Sequence, residues 1–198
     1  TVHIAGMGLY ELFINGQRIG DQVLAPAPTD YRKTILYNTY DVTSQLQQEN
    51  AIGVTLGNGR FYTMRQNYKP YKIPTFGYPK LRLNLIVEYA DGSKETIATN
   101  TSWKLTTEGP VRSNNEYDGE EYDARKELGN WTQTGYDDTK WMPAERVSIP
   151  SGTLRAQMMP GMKVTETLKP VSIQKMGDKY IMDCLLYTSP SPRDRSVS

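Results

Sequence analysis

Residues 81–89 alternate strictly. Leu81, Leu83, Leu85, Val87 and Tyr89 fall on one side, and Arg82, Asn84 and Glu88 on the other. A period of two belongs to an extended chain with one dry and one wet face, whereas apolar positions on a helix recur every three or four residues. A strand of this kind must find partners for its backbone N–H and C=O groups, so one such segment commits its neighbourhood to a sheet. Asp91-Gly92 then turns the chain and residues 94–98 return, with Trp103 and Leu105 continuing the pattern.

Other stretches read the same way. Residues 2–5 and 9–14 are strand-like, and the second runs into Asn15-Gly16, the strongest short hairpin signal because both residues accept positive φ. Gln17, Arg18 and Ile19 begin the return. Pro26 and Pro28 interrupt regular structure, since proline fixes φ and lacks a donor. Residues 35–42 put Ile35, Tyr37 and Thr39 on one face and Leu36, Asn38 and Tyr40 on the other. A single helical turn is expected at 44–48, capped by Asp41 or Thr43, before a short buried strand at 51–56. The expected fold class is all-β with little helix: an antiparallel β-sandwich, jelly-roll-like or galactose-binding-like.

Composition narrows function. The 23 basic and 22 acidic residues leave a net charge of +1, which offers nothing to nucleic acid or an anionic membrane. No apolar run approaches the length of a membrane span. The single cysteine, Cys184, excludes an intrachain disulfide. His3, the only histidine, argues against triad chemistry and a histidine-rich zinc site. Fourteen tyrosines and three tryptophans suit pleated surfaces, and their rings also suit the apolar face of a pyranose.

The acidic stretch at 114–125 lacks core periodicity and turns near Asp118 and Gly119. Within it stands Gly119-Glu120-Glu121-Tyr122-Asp123-Ala124-Arg125. Earlier come Gly8-Leu-Tyr-Glu-Leu-Phe-Ile-Asn-Gly16, Leu24-Ala-Pro, Thr29-Asp30-Tyr31, Tyr40-Asp-Val-Thr43 and Leu56-Gly-Asn-Gly59. Trp131 and Trp141 flank Gly135-Tyr-Asp-Asp138. In this order the blocks resemble the N-terminal domain of bacterial α-L-rhamnosidases. The resemblance implies a β-sandwich accessory domain that in some members binds rhamnose. It also implies that glycoside hydrolysis belongs to an (α/α) barrel further along a longer parent. Where the family commonly has an aromatic after Gly59, this chain has Arg60.

Domain expectations follow. Residues 1–149 form the sandwich. Residues 150–183 form a linker and the truncated start of a concanavalin-like domain, with two short strands around Pro170 and another at 180–183. Residues 184–198 read as a disordered, adapter-derived tail of the kind that ends metagenomic fragments. The chain opens at Thr1 inside a strand, so a piece of a longer protein is expected. No compartment is fixed, although a periplasmic or extracellular parent suits the resemblance.

The candidate carbohydrate contacts are Asp30, Tyr31, Asn58, Arg60, Glu120, Tyr122 and Asp123. Asp30 and Asp123 are also candidate ligands for calcium, a hard cation whose shell sugar hydroxyls can complete. Asp30 reads equally as an Asx turn. Gly57-Asn58-Gly59 lacks the Lys-Ser or Lys-Thr pair of a phosphate loop and reads as a tight turn or a close approach to ligand. Trp131 and Trp141 are read first as packing residues closing the sandwich. Three readings arise. One is a binding module for rhamnose-containing oligosaccharides or polysaccharides. Another is a structural module in which Glu120, Asp123 and Arg125 form a charge network serving the catalytic barrel of the same parent chain. The third, catalysis by the acidic stretch itself, is discounted, because it needs two carboxylates at a defined separation and an apolar pocket to raise one pKa, which the run does not offer.

Overall fold

A computed structural model describes residues 1–63, 75–116 and 119–184. Most of the loop expected at 64–79, Asp118 of the expected turn, and all of the tail beyond Cys184 lie outside them. The described residues contain strands and two single 3-10 turns but no α-helix, as an all-β sequence requires.

Unit 1, Thr1–Lys163, holds two principal sheets. The larger orders β12 (Thr153–Ala156), β4 (Thr34–Tyr40), β1 (Val2–Met7), β6 (Lys80–Glu88) and β7 (Lys94–Ala98). All its pairings are antiparallel except β12 with β4. The smaller sheet orders β3 (Gln17–Ile19), β2 (Leu9–Ile14) and β5 (Ile52–Gly57). Three two-residue-period readings become elements here. The alternation at 81–89 is β6, with Leu83 and Leu85 buried. Asn15 and Gly16 take φ of 51° and 80° and turn β2 into β3. Asp91-Gly92 turns β6 into β7.

The sheets face each other across one core. Val2 and Ile4 of β1 and Leu83 and Leu85 of β6 meet Tyr10, Leu12 and Ile14 of β2 and Ile19 of β3. Each such aliphatic side chain contributes about 1.5–3 kcal/mol on burial, so this layer is the main source of stability. Inside it the Tyr10 phenol meets that of Tyr40 at 3.0 Å, and Asn38 donates to the Gln22 side chain at 3.0 Å. Burial pushes the Tyr10 phenol far above its ordinary range.

Three smaller hairpins complete the described strands. β8 (Lys104–Leu105) pairs with β11 (Met142–Pro143), and β9 (Val111–Asn115) pairs with β10 (Gly119–Tyr122). In unit 2, from Val164 onward, β13 (Ser172–Met176) pairs with β14 (Lys179–Asp183). A strand forms after Pro170 but none before it.

Two expectations are corrected. Residues 150–160 are not a bare linker: β12 adds to the free edge of β4 in parallel, with Leu154 opposite Ile35. The compact unit therefore runs to Lys163. The prolines at 150 and 160 bracket this strand rather than abolish it. Trp131 and Trp141 do pack, but outside the two-sheet core. Trp131 meets Phe13 at 5.9 Å between ring centroids, and Trp141 at 6.0 Å. Phe13 alternates with buried Leu12 and Ile14, so this stack covers the outer face of the small sheet. It lies over Gly53, where a methyl group would come within 2.7 Å of the Trp131 ring.

Candidate functional site

The structure gathers one loop cluster at the end of β5. Gly57-Asn58-Gly59 leaves the small sheet and is met by the β9–β10 hairpin. The Asn58 N–H donates to Asn114 Oδ1 at 2.8 Å, and Asn58 Nδ2 donates to the Asn114 carbonyl at 2.9 Å. Two residues on, Arg60 Nε pairs with the Glu116 carboxylate at 3.0 Å, with both side chains partly exposed. The loop and the acidic stretch, distant in sequence, are thus pinned by two bonds that Asn58 donates to Asn114 and by an ion pair. A solvated pair of this kind is worth at most about 1 kcal/mol, so it positions more than it stabilises.

Beneath this mouth lies a second small core on the outer side of β1 and β4. Tyr31, 3 % exposed, and Phe61, 0 % exposed, meet at 5.0 Å edge to face, and Phe76 stacks on Phe61 at 5.5 Å. Ala5, Met7 and Ile35 complete it. Tyr31 is therefore a packing residue and not a ring offered to a sugar. Burial pushes its phenol pKa up, while the adjacent Gly8 backbone pulls the other way. Above this core the rings of Tyr62 and Tyr78 lie 5.0 Å apart and tilted by 30°, and Tyr78 is 75 % exposed. Tyr62 is tied to the loop by its N–H, which donates to the Asn58 carbonyl at 3.2 Å.

Asp30 and Asp123 have one geometry. Each begins an Asp-x-Arg sequence. The Asp30 Oδ1 accepts from the Arg32 N–H at 3.2 Å and from its Nε at 2.9 Å, and Oδ2 accepts from Nη2 at 3.1 Å. Asp123 does the same with Arg125, at 3.1, 2.8 and 2.8 Å. The Asx turn read for Asp30 is present. Both carboxylates are occupied by their own chain in the fork geometry guanidinium favours. No group of three His, Cys, Asp or Glu side chains suited to a metal occurs among the described residues.

The charge network of Glu120, Asp123 and Arg125 contracts to the Asp123–Arg125 pair, because Glu120 makes no ion pair among the described residues. Glu120 and Tyr122 lie on exposed β10, with Tyr122 53 % exposed beside a register shift. Sequence reasoning missed Asn114, Glu116 and Tyr78. Asn114 and Glu116 stood in the acidic stretch, but their partners are 56 residues away.

The arginine clamps have a pH consequence. Hydrogen bonds from Arg32 and Arg125 hold the Asp30 and Asp123 carboxyls below their ordinary range, and side-chain bonds from Thr43, Ser93 and Thr139 do so for Asp41, Asp91 and Asp137. Each depressed pKa stabilises the fold above the unfolded carboxyl value of about 4, and that stability is lost as pH falls through the folded values. A series of thermal melts is expected to give a flat melting temperature near neutrality and a steady decline below about pH 4.

Two largely antiparallel sheets packed on one core make this an all-β sandwich. Residues 1–166 match the family described as the α-L-rhamnosidase N-terminal domain, and the chain belongs to that family. An α-L-rhamnosidase of Formosa agariphila is 40 % identical over 188 residues, covering 92 % of this chain and 20 % of the relative. One from Streptomyces avermitilis is 36 % identical over 192 residues, covering 91 % and 18 %. Among solved structures, an α-L-rhamnosidase from Dictyoglumus thermophilum superposes with a TM-score of 0.79 at 43 % identity, covering 92 % of this chain and 20 % of that one. The Streptomyces avermitilis enzyme complexed with L-rhamnose gives 0.78 at 34 % identity, over 88 % and 17 %. The chain thus spans about a fifth of the length of these relatives.

Proposed function

We propose that this domain recognises rhamnose-containing glycans on behalf of a parent α-L-rhamnosidase, a glycoside hydrolase, and that the mouth formed by Asn58, Arg60, Glu116, Tyr62 and Tyr78 receives the sugar. The observations that support this are the Tyr62–Tyr78 ring pair, with Tyr78 exposed and Tyr62 half-buried, and the amide, guanidinium and carboxylate carried by the loop that Tyr62 is tied to and by its partner hairpin. A pyranose presents an apolar face and a ring of hydroxyls. An aromatic platform takes the first, and paired donors and acceptors take the second. The parent's rhamnosidase activity is part of the proposal, because the related enzymes are several times longer than this chain.

A structural reading has its own observation. The Asp30–Arg32 and Asp123–Arg125 clamps satisfy themselves, and Asn58 is spent on Asn114. Calorimetric titration of the chain with L-rhamnose separates the two. Saturable heat that disappears in Tyr78→Ala, whose fold survives because Tyr78 is exposed, favours recognition. A flat trace from folded protein favours a module that only braces the parent. Running the titration with calcium and again with chelator tests the cation. A chelator-sensitive signal would assign calcium a part in binding.

A further inference from the structure

The outer face of the large sheet carries a second concavity, on strands that the mouth does not use as ligands. Beyond the Tyr31–Phe61 core, His3, Tyr37 and Asn84 are half-buried and Arg82 and Leu154 exposed. His3, Ala5, Tyr37, Arg82, Asn84 and Leu154 enclose about 230 Å³ there. The register explains the grouping. His3 lies opposite both Thr39 and Asn84, and Ala5 lies opposite Arg82, so outward positions of β1, β4 and β6 form adjacent rows. Ala5, having only a methyl group, makes the floor, and the larger side chains make the rim.

The rim is chemically biased. Arg82 is exposed and makes no ion pair or side-chain hydrogen bond among the described residues, nor does the Asn84 side chain or the Tyr37 hydroxyl. His3 is held in place: its Nδ1 meets Thr39 Oγ1 at 2.9 Å, and its ring packs edge to face on Tyr37 at 5.8 Å. β1, β4 and β12 contain no Asp or Glu. The carboxylate on this side of β6, Glu88, stands at the strand's far end and is paired with Lys94 at 3.0 Å. A guanidinium without a counter-charge, next to an amide, an imidazole and a phenol, matches an anionic group with hydroxyls around it.

We propose that this face binds a single pyranose unit carrying an anionic group, with Arg82 gripping the charge, Asn84 and His3 taking flanking hydroxyls, and Tyr37 contacting the ring. The concavity is smaller than the roughly 300–1,000 Å³ typical of drug-sized ligands, which suits one sugar ring. Carboxylate and sulfate ester share the bidentate geometry that Arg82 offers. The site shares no contact residue with the mouth proposed for rhamnose, so either can fail without the other.

The test is a titration of the full chain, followed by amide NMR, with D-glucuronate, D-glucose 6-sulfate and D-glucose. Saturable shifts around His3, Tyr37 and Asn84 are expected with at least one charged sugar, with a Kd on the order of 1 mM, and none with glucose. Which charged sugar binds identifies the group. Arg82→Gln is expected to weaken binding about tenfold, the cost of one charge-assisted contact, with Arg82→Lys between it and the wild type. The melting temperature of Arg82→Gln should equal that of wild type, since Arg82 supports nothing else. Tyr78→Ala should leave these shifts intact. Absence of shifts with both charged sugars, equal binding of glucose, or undiminished binding in Arg82→Gln would each overturn the proposal.

Discussion

Phe61→Ala is expected to destabilise the domain by about 3–5 kcal/mol and to abolish the sugar recognition proposed for the mouth even where the protein remains folded. Phe61 is 0 % exposed and is the ring on which the small core is built. Tyr31 meets it edge to face, Phe76 stacks on it, and Lys80 Nζ sits 4.8 Å from its centroid. Removing the ring opens a cavity that two aromatic neighbours from different segments, Tyr31 and Phe76, must collapse to fill. Its own N–H donates to the Asn58 carbonyl, as does that of Tyr62, so the collapse displaces the loop that carries Asn58 and Arg60. Urea unfolding measures the first effect, and calorimetry below the new midpoint measures the second. A loss under 1 kcal/mol would mean that the small core contributes little.

Gly8→Ala is expected to cost at least about 3 kcal/mol, for two independent reasons. Gly8 has a φ of 112°, a conformation that residues with a Cβ avoid. An added methyl would also lie 2.3 Å from the Gly57 carbonyl oxygen and 3.3 Å from Pro79. The obstruction is backbone, which cannot swing aside as a side chain can. Gly8 is the joint where β1 leaves the large sheet and β2 enters the small one, so relief of the clash would spread the two sheets. A shift in the urea midpoint without a change in slope is the expected result. A variant as stable as wild type would show that the corner is more yielding than its geometry implies.

These two sites show what could be read from the sequence. The alternation at 81–89 and Asn15-Gly16 were legible because the cause is local: side-chain period in one case, positive φ in the other. The Asx turn at Asp30 was legible for the same reason. Tyr31 was not, because its neighbours in sequence are Asp30 and Arg32, while the rings that bury it come from 61 and 76. β12 was hidden because Thr153-Leu-Arg-Ala156 has no pattern of its own and is a strand only because β4 offers it an edge. The candidate site divides similarly. Asn58 and Arg60 were marked by flanking glycines. Their partners Asn114 and Glu116, and Tyr78 opposite Tyr62, are set by contacts across the fold. The paired Asp-x-Arg clamps could have been found from sequence, since each is complete within three residues.

The position of β1 has a bearing on synthesis. Among the described strands it comes first in sequence, yet it sits at the centre of the large sheet, between β4 and β6. Until β6 has been made, at least one long side of β1 has no native partner. The sheet's last edge waits longer still, because β12 sets Thr153 against Thr34 and the Ala27 bond to Gln157 joins residues 130 positions apart. While the residues between β1 and β6 are being made, an apolar strand stays exposed, and it depends on chaperones or on rapid elongation to avoid pairing with another copy.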